Sequence, residues 1–324
     1  MAEPSPATLT VTQHPSPTEQ QQVIALIGRA AAVDGHASVN EAGLLALRSP
    51  SGGPADATAS RHVLIHDGGT GELIGYAQAI TEESGRVAAL VVDPGHRRQG
   101  LGSTLWRQLA AETSSAPLRV WAKGDAPAAR ALAAALGLRP VRTLQILGRS
   151  LSGDLPPADP PAGITIRTFR PGLDEESWLA VNARAFAFHP EQGSLTRTDL
   201  DQRMAEPWFD PAGFFVAVRD EPADGAPGDG TPIVGFHWTK REPGSPTGEV
   251  YVIGVDPAAG VRGLGTPLLG VGLRHLRAVG ASEVDLYVEA DNDRALALYH
   301  RYGFSLVSSD VMYAAPGAPV ETSD

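Results

Sequence analysis

The chain has 324 residues, more than one ordinary hydrophobic core supports, so two domains are expected. It has no cysteine, which excludes disulfides, thiolate metal sites and a cysteine nucleophile, and its formal charge of −11 argues against a general nucleic-acid binder. Residues 1–22 do not resemble a signal peptide and no run of about 18 apolar residues predicts a membrane span, so we expect a cytoplasmic protein. We also expect no metal site.

In the first half, a strand leads through a glycine loop into a helix. The apolar run Val87–Val92 predicts a buried strand, and Asp93-Pro94 follows it. The loop Arg97–Gly102 then precedes a helix that carries apolar residues from Leu105 onward. Glycines let the backbone approach a phosphate, and a helix N-terminus offers it N–H groups. The junction therefore predicts a phosphate site, with an ordinary tight turn as the alternative for a single copy.

A proline-rich segment predicts a linker in the middle of the chain. Leu151–Gly163 contains four prolines and has neither helical nor strand periodicity. The predicted organisation is an N-terminal domain (residues 1–150), the linker (151–163), a C-terminal domain (164–315) and a flexible tail (316–324).

The second half repeats the arrangement of the first. Val250–Val255 predicts the strand, Asp256-Pro257 follows it, and the loop Gly260–Gly265 leads into a second helix. Thr266 is the expected N-cap of this helix, with Pro267 in its first turn. The same order of strand, glycine loop and helix thus occurs twice.

The two halves correspond at nearly constant spacing. Val92 matches Val255 at a shift of 163 positions (255 minus 92), and Gly137 matches Gly303 at a shift of 166 (303 minus 137). The difference needs only a small insertion. We therefore interpret the chain as a duplication, and two copies favour phosphate binding over a simple turn.

Neither loop has the Gly-Lys-Ser/Thr of a P-loop or the Gly-x-Gly-x-x-Gly of dinucleotide-binding folds. Arg97–Gly102 resembles instead the Arg/Gln-x-x-Gly-x-Gly/Ala loop with which the GNAT acetyltransferase superfamily holds the pyrophosphate of coenzyme A. The second loop departs from this pattern because Gly260 stands where Arg or Gln is usual. We expect Arg262 to supply the missing donor.

Further features of the GNAT superfamily follow in the second half. Leu286–Glu289 predicts a strand, Asn292 begins a helix, and this helix ends in Tyr299-x-x-x-Gly303-Phe304, with Gly303 at the C′ position. The resemblance covers both halves and implies an α/β fold (α+β in some schemes) of two tandem GNAT acyltransferase domains. Each domain is expected to have a mixed central sheet flanked by helices, with a splayed pair of central strands at the cofactor cleft.

Acetylation of an amine needs a base for the ammonium, N–H donors for the oxyanion and an acid for the departing thiolate. The resemblance assigns the base to Glu249 and the acid to Tyr299, and it places Gly254 at a strand bulge that exposes an N–H group. The alternatives are a solvated carboxylate for Glu249, a core aromatic for Tyr299 and a simple helix cap for Asn292.

The first half lacks the catalytic groups. The shift of 163 places Arg86 opposite Glu249 (249 minus 163), and the shift of 166 places Ala133 opposite Tyr299 (299 minus 166). An arginine cannot act as a base near neutral pH. We therefore expect the first half to bind acetyl-CoA without catalysis and the second half to be catalytic.

Four longer stretches resemble the mycothiol synthase family, namely Ala185–Gly193, Trp208–Phe214, Gly248–Pro257 and Leu286–Asn292. The tandem arrangement and the length agree with that family. The resemblance implies transfer of acetyl from acetyl-CoA to the cysteinyl amine of cysteinyl-glucosaminyl-inositol (desacetylmycothiol), which gives mycothiol. Composition and spacing alone do not identify this acceptor.

The same resemblance implies two sets of binding residues. Those for the acceptor are Glu41, Glu191, Lys240, Glu249 and Tyr287. Those for acetyl-CoA in the first half are Leu90, Val91, Val92, Arg98, Gln99, Gly100, Leu101, Gly102 and Ser103. Those for acetyl-CoA in the second half are Ile253, Gly254, Val255, Gly260, Val261, Arg262, Gly263, Leu264, Gly265, Thr266, Asn292, Asp293, Arg294, Ala295, Leu296 and Ala297.

Two other functions stay open. One is a tandem GNAT enzyme that acetylates another small amine or a peptide N-terminus. The other is a non-catalytic acetyl-CoA sensor, against which the pairing of Glu249 with Tyr299 argues. In each case we expect a monomer whose partners are small molecules rather than nucleic acid or membrane.

Overall fold

The structure, a computed structural model, describes residues 6–48, 60–82, 85–113, 117–187, 190–220 and 232–316, without the side chains of Glu41, Glu82, Pro190 and Glu191. The predicted tail lies outside the described residues from position 317 onward. The chain divides into two compact units: unit 1 is Met1–Thr143 with Ser309–Glu321, and unit 2 is Leu144–Ser308 with Thr322–Asp324. Among the described helices, none is both long enough and apolar enough to span a lipid bilayer.

Unit 1 is built on a mixed sheet. Its elements in chain order are β1 (Thr8–Thr12), α1 (Pro17–Asp34), α2 (Glu41–Arg48), β2 (Arg61–His66), β3 (Leu73–Glu82), β4 (Gly85–Val92), α3 (Leu101–Glu112), β5 (Leu118–Ala122), α4 (Pro127–Ala135) and the start of β6 (Arg139–Ser150). The strands lie in the order β1-β2-β3-β4-β5, and β4 and β5 run parallel while the preceding neighbours run antiparallel.

Unit 2 repeats this plan. Its further elements are β7 (Ile164–Thr168), α5 (Glu175–Ala185), α6 (Pro190–Gly193), α7 (Arg197–Met204), β8 (Phe214–Arg219), β9 (Ile233–Lys240), β10 (Thr247–Val255), α8 (Gly265–Ala278), β11 (Glu283–Glu289), α9 (Asp293–Arg301) and the start of β12 (Ser305–Ala314). The strands lie in the order β7-β8-β9-β10-β11-β6, with β10 and β11 parallel. The predicted α/β fold with a mixed sheet in each half is confirmed.

The last strand of each sheet comes from the other half of the sequence. The segment Leu144–Ser150 of β6 pairs antiparallel with β11 in unit 2, and Val311–Ala314 of β12 pairs antiparallel with β5 in unit 1. The compact units therefore divide inside β6 and β12, whereas the predicted boundaries at residues 150 and 164 follow the sequence repeat. Residues 151–163 form neither helix nor strand, as the prolines predict.

Helices cover both faces of the sheet in unit 2. Leu269 and Leu273 of α8 pack in one core cluster with Val250 and Leu286. On the opposite face, Trp178 of α5 packs in a second cluster with residues of α7, β8 and β9. Val250 and Glu249 are adjacent in β10, so the side chain of Glu249 faces the α5 side.

The central strands separate in both units. In unit 1, β4 and β5 pair from Arg86↔Leu118 to Ala88↔Val120, although β4 continues to Val92. In unit 2, β10 and β11 pair from Thr247↔Glu283 to Val250↔Leu286, although β10 continues to Val255. The strand ends beyond the last pair leave an opening at the edge of the glycine loop. The predicted splayed pair is therefore present twice.

A β-bulge distinguishes β10 from β4. The register between β10 and β9 shifts between Val250 and Val252, so Tyr251 is an extra residue, whereas β4 pairs with β3 without a shift. The last parallel pair is Val250↔Leu286 in unit 2 and Ala88↔Val120 in unit 1, so the residue before it is Glu249 in one unit and Val87 in the other. Glu249 therefore corresponds to Val87 instead of Arg86, because the bulge changes the shift between the halves by one residue. The predicted bulge position was also wrong: Gly254 pairs regularly with Phe236.

The helix that follows the second central strand ends in the same way in both units. In α9, the N–H of Phe304 donates to the carbonyl of Tyr299 at 3.1 Å, and Gly303 has φ +81°. In α4, the N–H of Leu138 donates to the carbonyl of Ala133 at 2.9 Å. Both bonds are those of a Schellman motif, in which the N–H two residues after the C-cap donates to the carbonyl of C3. Ala133 and Tyr299 thus hold the same position in their helices, and Gly303 is at C′ as predicted.

Candidate functional site

A cavity of about 550 Å³ lies in unit 1, where β4 and β5 have separated. One part of its wall comes from the end of β5 and the start of α4, namely Trp121, Ala122, Lys123, Ala126, Ala128, Ala129, Ala131 and Leu132. Of the acetyl-CoA residues expected in the first half, those that line the cavity are Leu90, Val91, Val92, Arg98, Gly100, Leu101, Gly102 and Ser103. The structure thus brings all of them except Gln99 to one cavity.

The loop before α3 has the geometry of an anion site. Gly100, the N-cap, has φ +83°, a conformation that favours glycine, and among the described residues no side chain caps the first N–H groups of α3. Arg97 is held by an ion pair, because its guanidinium donates to both carboxylate oxygens of Asp34 at 2.7 and 2.8 Å. Arg98 and the helix N-terminus are therefore candidate groups for binding a phosphate.

Two further side chains extend this polar wall. His36 lines the cavity, and its Nδ1 atom is buried without a hydrogen-bond partner among the described residues. The Lys123 ammonium forms an ion pair with Asp310 of β12 at 2.6 Å. An uncapped helix N-terminus, an arginine and an unsatisfied imidazole nitrogen fit a ligand that carries phosphates and hydrogen-bonding amides, as coenzyme A does.

The corresponding loop in unit 2 differs in its backbone. Gly260 has φ +65°, which explains why glycine replaces the usual Arg or Gln at this position. The helix α8 begins at Gly265 with Leu264 as an N-cap that makes no side-chain hydrogen bond, so the prediction of Thr266 as N-cap was wrong. Thr266 lies inside the first turn, where its hydroxyl accepts a hydrogen bond from Tyr302 at 3.5 Å. The N-cap thus leaves the first N–H groups of α8 without a side-chain partner among the described residues, so they can bind an anion.

The acetyl-CoA segments predicted in unit 2 meet around Ile253. Its side chain packs against the same cluster as Ala295 and Leu296 in the first turns of α9. It also packs against the cluster that contains Leu264, together with Val261 of the loop. The strand end therefore packs with both the glycine loop and α9 in unit 2, and the binding of acetyl-CoA by these residues stays a prediction.

A row of charged residues crosses three strands of unit 2. Lys240 of β9, Glu249 of β10 and Asp285 of β11 are ladder partners, so their side chains lie on the same face. This row lies next to Val250↔Leu286, the last pair before the strands separate. Burial raises the pKa of Asp285. The face thus offers two carboxylates and an ammonium at the apex of the opening.

Aromatic rings surround the Lys240 ammonium. Its Nζ lies 4.9 Å from the ring centroid of Trp208 and 5.6 Å from that of Tyr251. Glu242 forms an ion pair with the same nitrogen at 3.4 Å. The Lys240 side chain is 19% exposed, so the cation is largely withdrawn from solvent. Such an ammonium is positioned by cation–π and ionic contacts while it stays beside Glu249.

Tyr299 and Asn292 lie on the other side of the sheet from Glu249. Tyr299 is 6% exposed in the cluster of Val250 and Leu286, with its ring edge-on to that of Phe304 at 5.6 Å. Burial raises the pKa of its hydroxyl. Asn292 caps α9, because its Oδ1 accepts a hydrogen bond from the Ala295 N–H at 3.0 Å. Both residues therefore have the structural role that was their alternative, and their catalytic and binding roles stay predictions.

The structure gives the positions in the fold of the other residues expected to bind the acceptor. Tyr287 lies on β11 and is 51% exposed. Glu41 begins α2 and Glu191 lies in α6, but their side chains lie outside the described part of the chain.

Sequence reasoning missed three residues on or beside the face that carries Lys240 and Glu249, namely Asp285, Tyr251 and Arg203. Asp285 shares the strand alternation of Tyr287, so period-two patterning could have found it. Tyr251 and Arg203 carried no comparable signal, because a bulge and a contact from α7 to β10 depend on tertiary structure.

The chain is similar to known acetyltransferases in sequence and in fold. Residues 47–138 and 178–304 match the model of the acetyltransferase (GNAT) family. The chain is 48% identical over 299 residues, 91% of either chain, to a mycothiol acetyltransferase from Streptomyces scabiei. It is 50% identical over 252 residues to a mycothiol acetyltransferase from Catenulispora acidiphila, covering 75% of this chain and 77% of that protein. A solved GCN5-related N-acetyltransferase from Sphaerobacter thermophilus is similar with a TM-score of 0.67 and 25% identity, covering 97% of this chain and 98% of that one.

Proposed function

The chain belongs to the acetyltransferase (GNAT) family, and we propose that unit 2 transfers acetyl from acetyl-CoA to the cysteinyl amine of desacetylmycothiol, which gives mycothiol. The observation that carries this acceptor is the 48% identity, over 91% of either chain, to the mycothiol acetyltransferase of S. scabiei. The row of Lys240, Glu249 and Asp285 supports it, since carboxylates and an ammonium suit a polyhydroxylated acceptor with a free amine.

In the proposed reaction, Glu249 accepts the proton that the acceptor ammonium must lose before its nitrogen attacks the thioester carbon. Lys240 binds acceptor hydroxyl groups beside it. A backbone N–H of β10 near the bulge, between Tyr251 and Gly254, donates to the thioester oxygen as that oxygen becomes negative.

Tyr299 supplies the proton for the departing thiolate of coenzyme A. A phenol is protonated at neutral pH in any case, and burial raises the pKa of this hydroxyl further, so the proton is present when the thiolate leaves. The nitrogen loses a second proton as the tetrahedral intermediate collapses, and this proton restores the Tyr299 phenol. The proton taken by Glu249 returns to solvent, and the new amide bond replaces the thioester bond.

Unit 1 binds acetyl-CoA without turnover in this proposal. Its cavity and open α3 N-terminus support binding. Val87 stands where unit 2 has Glu249, and Ala133 stands where it has Tyr299, so neither base nor acid is available.

The test is incubation of the purified chain with acetyl-CoA and desacetylmycothiol, followed by mass spectrometry and thiol titration. We expect a product heavier by one acetyl group that keeps its thiol, which places the acetyl group on nitrogen. Glucosaminyl-inositol, which lacks the cysteinyl residue, is the matched control and is expected to stay unmodified. Acetylation of the control or of a peptide N-terminus, without acetylation of desacetylmycothiol, would refute the proposed acceptor.

We extend the proposal to a monomer in the cytoplasm, in keeping with the acidic, cysteine-free composition. Light scattering during size-exclusion chromatography is expected to give the mass of one chain, 33.8 kDa. A mass of two chains at working concentrations would contradict the monomer.

A further inference from the structure

Unit 2 contains one residue in its central strand that unit 1 lacks. β4 pairs with β3 without interruption, whereas β10 accommodates Tyr251 as an extra residue between Val250 and Val252. The bulge directs Tyr251 and Val252 to the same face, where both pack with the cluster of Trp178. An extra residue disrupts the ladder, and unit 1 folds without one. The role of the bulge in unit 2 can therefore be inferred from the contacts of its extra residue, Tyr251.

Tyr251 is held at both its ring and its hydroxyl. Its ring centroid lies 4.9 Å from that of Trp208 and 5.2 Å from that of Trp238. Its hydroxyl accepts a hydrogen bond from Arg203 Nε at 3.0 Å. Arg203 is itself fixed on α7, because its Nη1 donates to the carbonyl of Asp199 at 2.9 Å.

The fixed ring lies beneath the Lys240 ammonium. The Nζ of Lys240 is 5.6 Å from the Tyr251 centroid and 4.9 Å from the Trp208 centroid, within the range of cation–π attraction. Lys240 is the ladder partner of Glu249. In unit 1 the same ladder position pairs Ile80 with Val87, so the ammonium, the carboxylate and the bulge occur together in unit 2.

We propose that Arg203 and Tyr251 are positioning residues for acetyl transfer: Arg203 fixes the Tyr251 hydroxyl, and the Tyr251 ring holds the Lys240 ammonium beside Glu249. This inference rests on the proposed function, because Lys240 binds the acceptor hydroxyls there. The contact lies on the face of the sheet that carries Lys240 and Glu249, whereas the acetyl-CoA residues are expected at the strand end and the glycine loop. Its loss therefore weakens acceptor binding and leaves acetyl-CoA binding unchanged.

The test is a double-mutant cycle with Arg203→Met and Tyr251→Phe in the full chain. Each single variant is expected to raise KM for desacetylmycothiol about fivefold to tenfold, with kcat and KM for acetyl-CoA within about twofold of wild type. If Arg203 acts through the hydroxyl, adding Arg203→Met to Tyr251→Phe raises KM no further. Arg197→Met is the matched control, because Arg197 lies on the same helix but donates to Asp201 at the surface.

An additive increase in the double variant, or a fall in kcat with KM for the acceptor unchanged, would overturn the inference. Tyr251→Phe keeps the ring and its packing. If Arg203→Met does not fold, the KM of Tyr251→Phe for desacetylmycothiol therefore tests the inference, and an unchanged KM overturns it. A wild-type chain that fails to acetylate desacetylmycothiol overturns the proposed function itself, and this outcome is visible before any variant is compared.

Discussion

Arg184 donates two hydrogen bonds to one carboxylate oxygen of Asp256, from Nη2 at 2.7 Å and from Nε at 3.0 Å. This pair joins α5 to the end of β10, immediately before the glycine loop. Unit 1 has the same arrangement, because Arg29 Nε donates to Asp93 at 2.9 Å. Each unit therefore has a buried carboxylate that anchors the loop. In the sequence, these carboxylates belong to the two Asp-Pro pairs that follow the central strands.

Replacing Asp256 with Asn is expected to destabilise unit 2. The Arg184 hydrogen bonds and the Ala258 N–H, which donates to Asp256 at 2.9 Å, outweigh burial and lower the pKa of this carboxyl. The neutral amide keeps the shape but loses the charge, so the free energy of unfolding should fall by about 1–2 kcal/mol. Urea unfolding measures this change, and stabilisation by acetyl-CoA should weaken with it. Asp201→Asn, in a surface pair with Arg197, is the control, and equal losses in both variants would contradict the anchoring role.

The free energy of unfolding is expected to fall as the pH drops from about 6.5 toward 4, in part through His237. Burial lowers the pKa of His237 to about 4, and its Nε2 has no partner among the described residues. The unfolded chain binds a proton at histidine near pH 6.5 while the folded chain does not, so acid favours unfolding by up to about 3 kcal/mol.

Urea unfolding across this pH range checks the prediction with His237→Gln, which cannot titrate. The variant is expected to be less stable at neutral pH but to lose less stability on acidification. His66→Gln, at a partly buried position, is the control. A variant with the same acid dependence as wild type would show that His237 does not contribute.

Much of the fold is visible in local sequence patterns. The apolar runs Val87–Val92 and Val250–Val255 lie in β4 and β10, and Gly303 ends α9 in the expected left-handed conformation. These features depend on residues close in sequence, where periodicity and the special backbone of glycine carry the information.

Local sequence patterns did not predict the bulge in β10 or the pairing of the last strand of each half with the sheet of the other unit. Tyr251 reads as an ordinary strand aromatic, because a bulge adds a residue without changing the composition of the strand. A constant shift therefore matched Glu249 with Arg86 when the ladders match it with Val87. The pairing of β6 with β11 is equally hidden, since partner choice between distant strands depends on tertiary packing.

Glu249→Gln and Tyr299→Phe are expected to lower kcat by about 10²–10⁴-fold each, as general base or acid groups do. Glutamine cannot titrate, so Glu249→Gln should also remove the acidic limb of the pH–rate profile. Tyr299→Phe should leave acetyl-CoA affinity nearly unchanged, because the ring still packs against Phe304. Steady-state kinetics across pH measure these effects. Wild-type rates in both variants would disprove the assigned roles.

The proposal that unit 2 catalyses while unit 1 only binds acetyl-CoA can be tested at two corresponding glycines. A Cβ atom at Gly102 would lie 3.1 Å from Leu132 Cδ2 of α4, and one at Gly265 would lie 3.5 Å from Leu298 Cδ2 of α9. Each glycine lies in the first turn of the helix that follows a glycine loop. A tryptophan at either position should therefore block cofactor binding in that unit alone.

The most direct test of catalysis in unit 2 is the rate of desacetylmycothiol acetylation by Gly102→Trp and Gly265→Trp, with folding checked by circular dichroism. Acetyl-CoA binding stoichiometry, measured by calorimetry, shows which unit each variant has lost. We expect Gly102→Trp to retain turnover and Gly265→Trp to lose it. Loss of turnover in folded Gly102→Trp, with retention in Gly265→Trp, would contradict the account and place the chemistry in unit 1.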